Sequence, residues 1–183
     1  NGATLGTASL EFADLYLHDG GVVYFGADQD VELAHVADVG LTLKTATTSD
    51  DTKATLTLQT GDTDIAANDV LGQLHFQAPD EGAGTDAILV AAGIAAISEG
   101  DFSASNNATK LSFQTGASEA ASEKMSLSSA GILTVADDII IGDGKTIGSA
   151  SDPDAITIAS GGGVTLTQAL AGTSADFDGG VTI

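Results

Sequence analysis

The feature that most constrains this chain is a short apolar-x-apolar triplet that recurs along nearly its whole length. In the first third it occurs at Leu10-x-Phe12, Leu15-x-Leu17, Val23-x-Phe25, Val31-x-Leu33, Leu41-x-Leu43 and Leu56-x-Leu58. In the middle it occurs at Leu74-x-Phe76, Ile88-x-Val90, Leu111-x-Phe113, Met125-x-Leu127 and Leu133-x-Val135. The last third carries Ile139-x-Ile141, Ile156-x-Ile158, Val164-x-Leu166 and Val181-x-Ile183. A period of two belongs to strands with one face buried. Thr fills many of the intervening positions, as in Thr55-Leu56-Thr57-Leu58, and it favours the pleated conformation. Helical periodicity is nearly absent. Asp19-Gly20-Gly21, Gly26-Ala27-Asp28, Gly61-Asp62, Gly142-Asp143-Gly144, Ser151-Asp152-Pro153-Asp154 and Ser160-Gly161-Gly162-Gly163 are turn signals between the strands. The expectation is an all-β chain of short strands with little or no helix.

Three segments follow from this pattern. Residues 1–65 read as strands joined by Gly/Asp turns. Residues 66–135 form a more elaborate β-module. Residues 136–183 are Gly-rich, and Ile139, Ile147, Ile156 and Val164 follow one another at intervals of 8, 9 and 8 residues, like rungs. Such units stack or associate, because none closes a core alone. The apolar stretch from Ala87 to Ile97 has 11 residues. It is too short to cross a bilayer, which takes about 20, and reads as buried strand.

Composition limits both the core and the partners. The 183 residues hold 26 Asp+Glu against 5 Lys+Arg, for a net charge of -21, and all five basic residues are Lys. A phosphate backbone needs a basic footprint, so nucleic-acid binding is excluded as an expectation. With no Cys there is no disulfide and no thiolate metal site. The apolar share of 43% is too high for an acidic disordered tail, but it consists mostly of Ala, Val, Leu and Ile, with no Trp. A thick single-chain core would be poorly filled. Several copies packing together would supply the missing volume through apolar burial at about 25 cal/mol per Å². Every further copy adds another -21. Salt at several hundred millimolar shortens the screening length to about 3–8 Å, so a saline setting would make this charge tolerable. The other reading is an ordinary acidic surface that aids solubility. The start at Asn1-Gly2-Ala3 and the strand-like end at Val181-Thr182-Ile183 read as an excerpt of a longer protein with no targeting signal.

Candidate chemistry is thin. Gly144-Lys145-Thr146 resembles the end of a phosphate loop, but Ile139 stands where that loop needs its first Gly. His18, His35 and His75 sit at alternating strand positions; each faces a trimer axis or lies on the surface, and on a threefold axis three copies could bind an ion. Asp28-x-Asp30, Asp50-Asp51, Asp62-x-Asp64, Asp137-Asp138 and Asp152-x-Asp154 are oxygen-rich turns with a weak capacity for Ca2+, though none matches a known calcium loop. Paired carboxylates for glycoside hydrolysis would need aromatic platforms, and Tyr16 and Tyr24 offer little. No Gly-x-Ser-x-Gly elbow occurs. Asn107-Ala108-Thr109 matches a glycosylation sequon, a pattern common by chance. No residue is assigned a catalytic, cofactor-binding or metal-binding role. The chain is not expected to be an enzyme.

The middle module carries a resemblance. Asp69-Val70-Leu71-Gly72-Gln73-Leu74-His75-Phe76, the stretch Ala91 to Ile97, Asn107-Ala108-Thr109-Lys110-Leu111-Ser112-Phe113-Gln114-Thr115, Glu123-Lys124-Met125-Ser126-Leu127 and Ser129-Ala130-Gly131-Ile132-Leu133-Thr134-Val135 together resemble a shaft module of tailed-phage tail fibres and spikes. Such modules often precede an endosialidase-type intramolecular chaperone. The flanks, Phe25 to Asp38 and Gly142 to Ala150, are similar to fibres of marine phages. The resemblance implies an elongated, fibrous homotrimer on a virion, with β-helix- or β-prism-like shaft modules. It further implies contact with other virion tail proteins, and with a host-surface glycan or receptor through regions beyond this chain. It implies no nucleic acid and no membrane insertion. Apolar triplets such as Leu74/Phe76, Leu111/Phe113, Met125/Leu127 and Leu133/Val135 are then expected in the interior, with Gly72 and Gly131 permitting turns or close approach. Other readings are a carbohydrate-recognising domain using loops 79–85 and 99–107, and a bacterial surface adhesin or filament subunit.

Overall fold

The period-two segments fold as strands because each places its bulky side chains on one face and Thr, Ser or Gln on the other. In the computed structural model, residues 5–7, 9–78, 84 and 86–168 are described. Eleven strands and one 310 turn, Asp86–Ile88, account for the regular structure among them. The class is all-β, and all strand pairs are antiparallel. The expected strand at Val181–Ile183 and nearly all of the loop 79–85 lie outside the described residues.

The chain divides into two compact units, Asn1–Gln59 and Thr60–Ile183. The first holds β1 (Val22–Phe25), β2 (Val31–Val36) and β3 (Gly40–Thr45) in sequential order. The second holds two sheets. One is a five-stranded meander of β4 (Val70–Gln77), β5 (Val90–Ser98), β6 (Thr109–Thr115), β7 (Ser122–Leu127) and β8 (Leu133–Val135). The other is formed by β9 (Lys145–Ser149), β10 (Asp152–Ile158) and β11 (Val164–Leu166). Within each sheet, strands that are neighbours in sequence are neighbours in the ladder. The β7–β8 turn closes with the Gly131 amide donating to the Ser128 carbonyl at 3.0 Å, and Gly131 stands at φ +78°, a conformation that favours glycine.

Several local expectations are corrected. Leu10-x-Phe12, Leu15-x-Leu17, Leu56-x-Leu58 and Ile139-x-Ile141 lie outside the strands, and Ile88 falls in the 310 turn. Gly72 is not at a turn. It lies within β4 at a register irregularity, opposite Ala96. Of Ser151-Asp152-Pro153-Asp154 only Ser151 lies in the turn, which it shares with Ala150, because β10 begins at Asp152. Pro153 cannot donate to the ladder, and the β9–β10 pairing is irregular between Asp152 and Ile156. The near-regular intervals of the last segment reflect antiparallel hairpins, with Ile147, Ile156 and Leu166 side by side in one row.

Candidate functional site

Cross-strand partners share a face, so the register of the five-stranded sheet reads out both of its surfaces. One face carries the row Leu74, Ile94, Phe113, Met125, Val135 and, beside it, Gly72, Ala96, Leu111, Leu127, Leu133. Phe76 and Ala92 extend it at one end. No ionisable side chain occurs in these rows. The opposite face carries Gln73, Ala95, Ser112, Ser126, Thr134, and next to them His75, Gly93, Gln114, Glu123.

On the three central strands burial is inverted relative to this division, while on the edge strands Gln73, His75 and Thr134 are exposed as well. Ala95 is 1% exposed and Ser112 0%, both on the small and polar face. On the apolar face Leu74 is 46% exposed, Phe76 57% and Leu133 58%. Among the described residues Ala95 is the sole buried member of the apolar set. Apolar side chains normally turn away from water while polar ones stay in it, so this sheet has its oily side uncovered.

The polar face is satisfied internally. Gln114 Nε2 donates to Ser112 Oγ at 3.2 Å, and no buried side-chain polar atom among the described residues lacks a partner. Lys110 Nζ lies 2.9 Å from Glu123 Oε2. Hydrogen bonding to Lys110 holds the Glu123 carboxyl below the usual carboxylate range, with further help from Ser112 and Ser126. Glu99 is also held low, because the side chain and backbone of Ser129 hydrogen-bond its carboxylate, the amide at 2.9 Å. This bond ties the end of β5 to the β7–β8 turn.

The other two sheets repeat the two-faced design. In β1–β3 the row Val23, Leu33, Leu43 is flanked by Phe25 and Val31 on one side and by His35 and Leu41 on the other. Its reverse face carries Tyr24, Glu32 and Lys44. Lys44 Nζ and Glu32 Oε1 meet there at 2.8 Å, and this bond raises the lysine above its usual range. In β9–β11 a threonine row, Thr146, Thr157, Thr165, backs the apolar row. Phe25, Leu41, Ile147, Val164 and Leu166 are all exposed.

The residues singled out for chemistry are not brought together. His18 Nδ1 meets the neighbouring Asp19 carbonyl at 2.5 Å, and His35 Nδ1 lies 3.8 Å from Asp19 Oδ1. His75 is alone on the polar face of β4. Among the described residues no group of three or more His, Asp and Glu could hold a metal ion. Several turn carboxylates serve the backbone instead. Asp62 Oδ1 accepts the Asp64 amide at 2.9 Å, and Asp137 Oδ1 accepts the Asp138 amide at 3.0 Å. Asp28 and Asp30 both crowd Gly26 in the β1–β2 turn. Lys145 opens strand β9, so no helix follows Gly144-Lys145-Thr146. The loop from Glu99 to Asn107 is pinned by the Phe102 amide on the Ile65 carbonyl at 2.9 Å and by Asn106 Nδ2 on the Asp101 carbonyl at 2.6 Å.

The uncovered apolar face is the feature with the clearest functional content. The triplets named its outer members from sequence. Ile94, Ala92 and Ala96 were hidden inside a continuous apolar run, and only the register separates them from Ala95 and Ile97 on the reverse face. The Ser112/Ser126 row was legible as the x of two triplets and was not read as buried. Comparison of the chain with known protein families, curated proteins and solved structures finds no match.

Proposed function

We propose that this chain is a segment of a trimeric β-shaft, part of the tail fibre of a tailed bacteriophage from a saline environment. On this reading its work is mechanical: it spans distance and holds three chains in register between the virion and a distal host-adhesion tip. It acts outside the cell, without catalysis or cofactor. Its partners are two further copies and other tail proteins, with a host glycan or receptor reached through other regions of the fibre.

The inverted burial of the five-stranded sheet is the observation that supports this reading most strongly. A lone chain leaves its bulkiest side chains in water, whereas like copies can cover them. The resemblance of residues 66–135 to fibre shaft modules supplies the viral context. Negative-stain electron microscopy of the protein in about 0.5 M NaCl tests it, salt at which exposed charges are screened within about 5 Å. Thin particles of uniform width and threefold stoichiometry are the expected result. Discrete globules of one chain would overturn it.

A second reading is a carbohydrate- or receptor-binding domain of a phage or bacterial adhesin. It is favoured by the loop from Glu99 to Asn107, which is held in a defined shape rather than merely connecting β5 to β6. Binding of this chain to discrete glycans on an array, lost on replacing residues of that loop, would select it over the shaft.

A further inference from the structure

We infer that one defined surface, the apolar face of the β4–β8 sheet, is where copies of this chain meet, and that the opposite face of the same sheet stays out of the contact. The inference rests on the multi-copy reading above and adds the location of the interface.

Charge is the first argument. The chain carries -21 overall, yet the rows Leu74-Ile94-Phe113-Met125-Val135 and Gly72-Ala96-Leu111-Leu127-Leu133 contain no ionisable group. A second copy approaching on this face meets no like charge at the contact. A charged partner of either sign would find no counter-charge and would lose its own hydration. The reverse face presents His75 and the Lys110–Glu123 pair, whose charges already meet at 2.9 Å.

Area is the second. Five strands at about 4.8 Å spacing and about 17–20 Å long give a face on the order of 400 Å². Apolar patches of a few hundred Å² are already near the upper end for a protein that works alone. Two such faces together come to on the order of 800 Å², a little under the roughly 1,000 Å² expected of a specific interface, so the contact between copies draws the remainder from surface beyond these rows.

Relief is the third. Gly72 and Ala96 leave a shallow trough at one end of the β4–β5 side of the face, bordered by the Leu74–Ile94 row. Leu111, Leu127 and Leu133 stand proud on the β6–β8 side. One face therefore carries both the ridge and the trough, so a rotated copy can seat its ridge in the trough of its neighbour, as closed rotational assemblies require.

Light scattering after size exclusion of the whole chain in about 0.5 M NaCl tests this, with imaging of the same samples. The variants are Phe76→Glu and Leu133→Glu, on the two edge strands, where each side chain is already more than half exposed. The controls are Gln73→Glu and Thr134→Glu on the reverse face of the same strands. The expected result is a multimer for the unsubstituted chain and both controls, and an 18.1 kDa species with an unchanged strand spectrum for the two face variants. Should either face variant lose its strand spectrum, Phe76→Ser provides the milder reading, with at least a 10-fold weaker association expected. Face variants that keep the multimer mass, or controls that dissociate equally, would overturn the location while leaving the multi-copy reading intact. A multimer that dissociates as expected but is compact when imaged would leave the interface standing and remove the shaft. An unsubstituted chain that is monomeric would overturn both.

Discussion

The Ser98 hydroxyl accepts from the Asp69 amide at 3.0 Å and donates to the Ala66 carbonyl, so one buried oxygen fastens the segment before β4 to the end of β5. Ser98 is 1% exposed, and Ser98→Ala would remove both bonds, leaving the Asp69 amide on the Ala66 carbonyl alone at 3.3 Å. A loss of about 0.5–1.5 kcal/mol is expected in urea unfolding, with the slope unchanged. Glu123 makes a pH-dependent contribution of known sign. Its carboxyl is depressed by Lys110, so its stabilisation is present above the ordinary carboxylate range and is lost as pH falls through the folded value. The pair is partly solvated, which limits the effect to under about 1 kcal/mol. Glu123→Gln is therefore expected to flatten the decline in thermal midpoint below about pH 4.5, and a decline as steep as the parent's would contradict the assignment. Neither role was legible in the sequence. Ser98 closes the apolar run as an unremarkable polar residue, and the Lys110–Glu123 pair forms only once β6 and β7 are in register.

Strands were the most legible element, and the reason is physical. Several alternating triplets flanked by Gly, Asp or Ser formed strands, as at Leu111-x-Phe113 in β6 and Met125-x-Leu127 in β7, whereas Leu15-x-Leu17 and Ile139-x-Ile141 did not despite the same flanks. Leu10-x-Phe12 and Leu56-x-Leu58 show the same alternation, but no strand pairs with them among the described residues, and alternation alone supplies no hydrogen-bond partner. Turn positions were legible where φ had to be positive, as at Gly131, and were misplaced where Pro was taken for a turn former, as at Pro153. The face of β5 was not legible, because a continuous run of small apolar residues hides its own period. Gly148 offers a test at this scale. A Cβ there would collide with the backbone of Asp152 and Pro153 across the β9–β10 hairpin, so the two strands approach only because the side chain is missing. Gly148→Ala is expected to open this hairpin, read as a large rise in amide exchange over β9 and β10, while β4–β8 keeps its protection. Unchanged exchange in β9 would refute the close approach.

For the whole molecule, two facts pull in opposite directions. Each chain carries -21, and each of its three sheets leaves apolar side chains of one face in water, among them Phe25, Leu74 and Val164. Copies gain by covering those faces and lose by crowding their charge. Lowering the salt from about 0.5 M to 10 mM lengthens the screening distance from about 4–5 Å to about 30 Å, so the multimer is expected to dissociate or melt several degrees lower. A midpoint insensitive to salt would mean that the charges are held well apart. The all-β class and the shortage of single-chain core were readable from triplets and composition. The inversion of burial was not, because it emerges only when register assigns each side chain to a face. Sedimentation equilibrium of the intact chain in about 0.5 M NaCl is the most direct measurement of whether like copies complete one another. Three chains of 18.1 kDa give 3 × 18.1 = 54.3 kDa, and that mass, held on dilution, is the expected result. A single species at 18.1 kDa that keeps its strand content across the same dilution would contradict it.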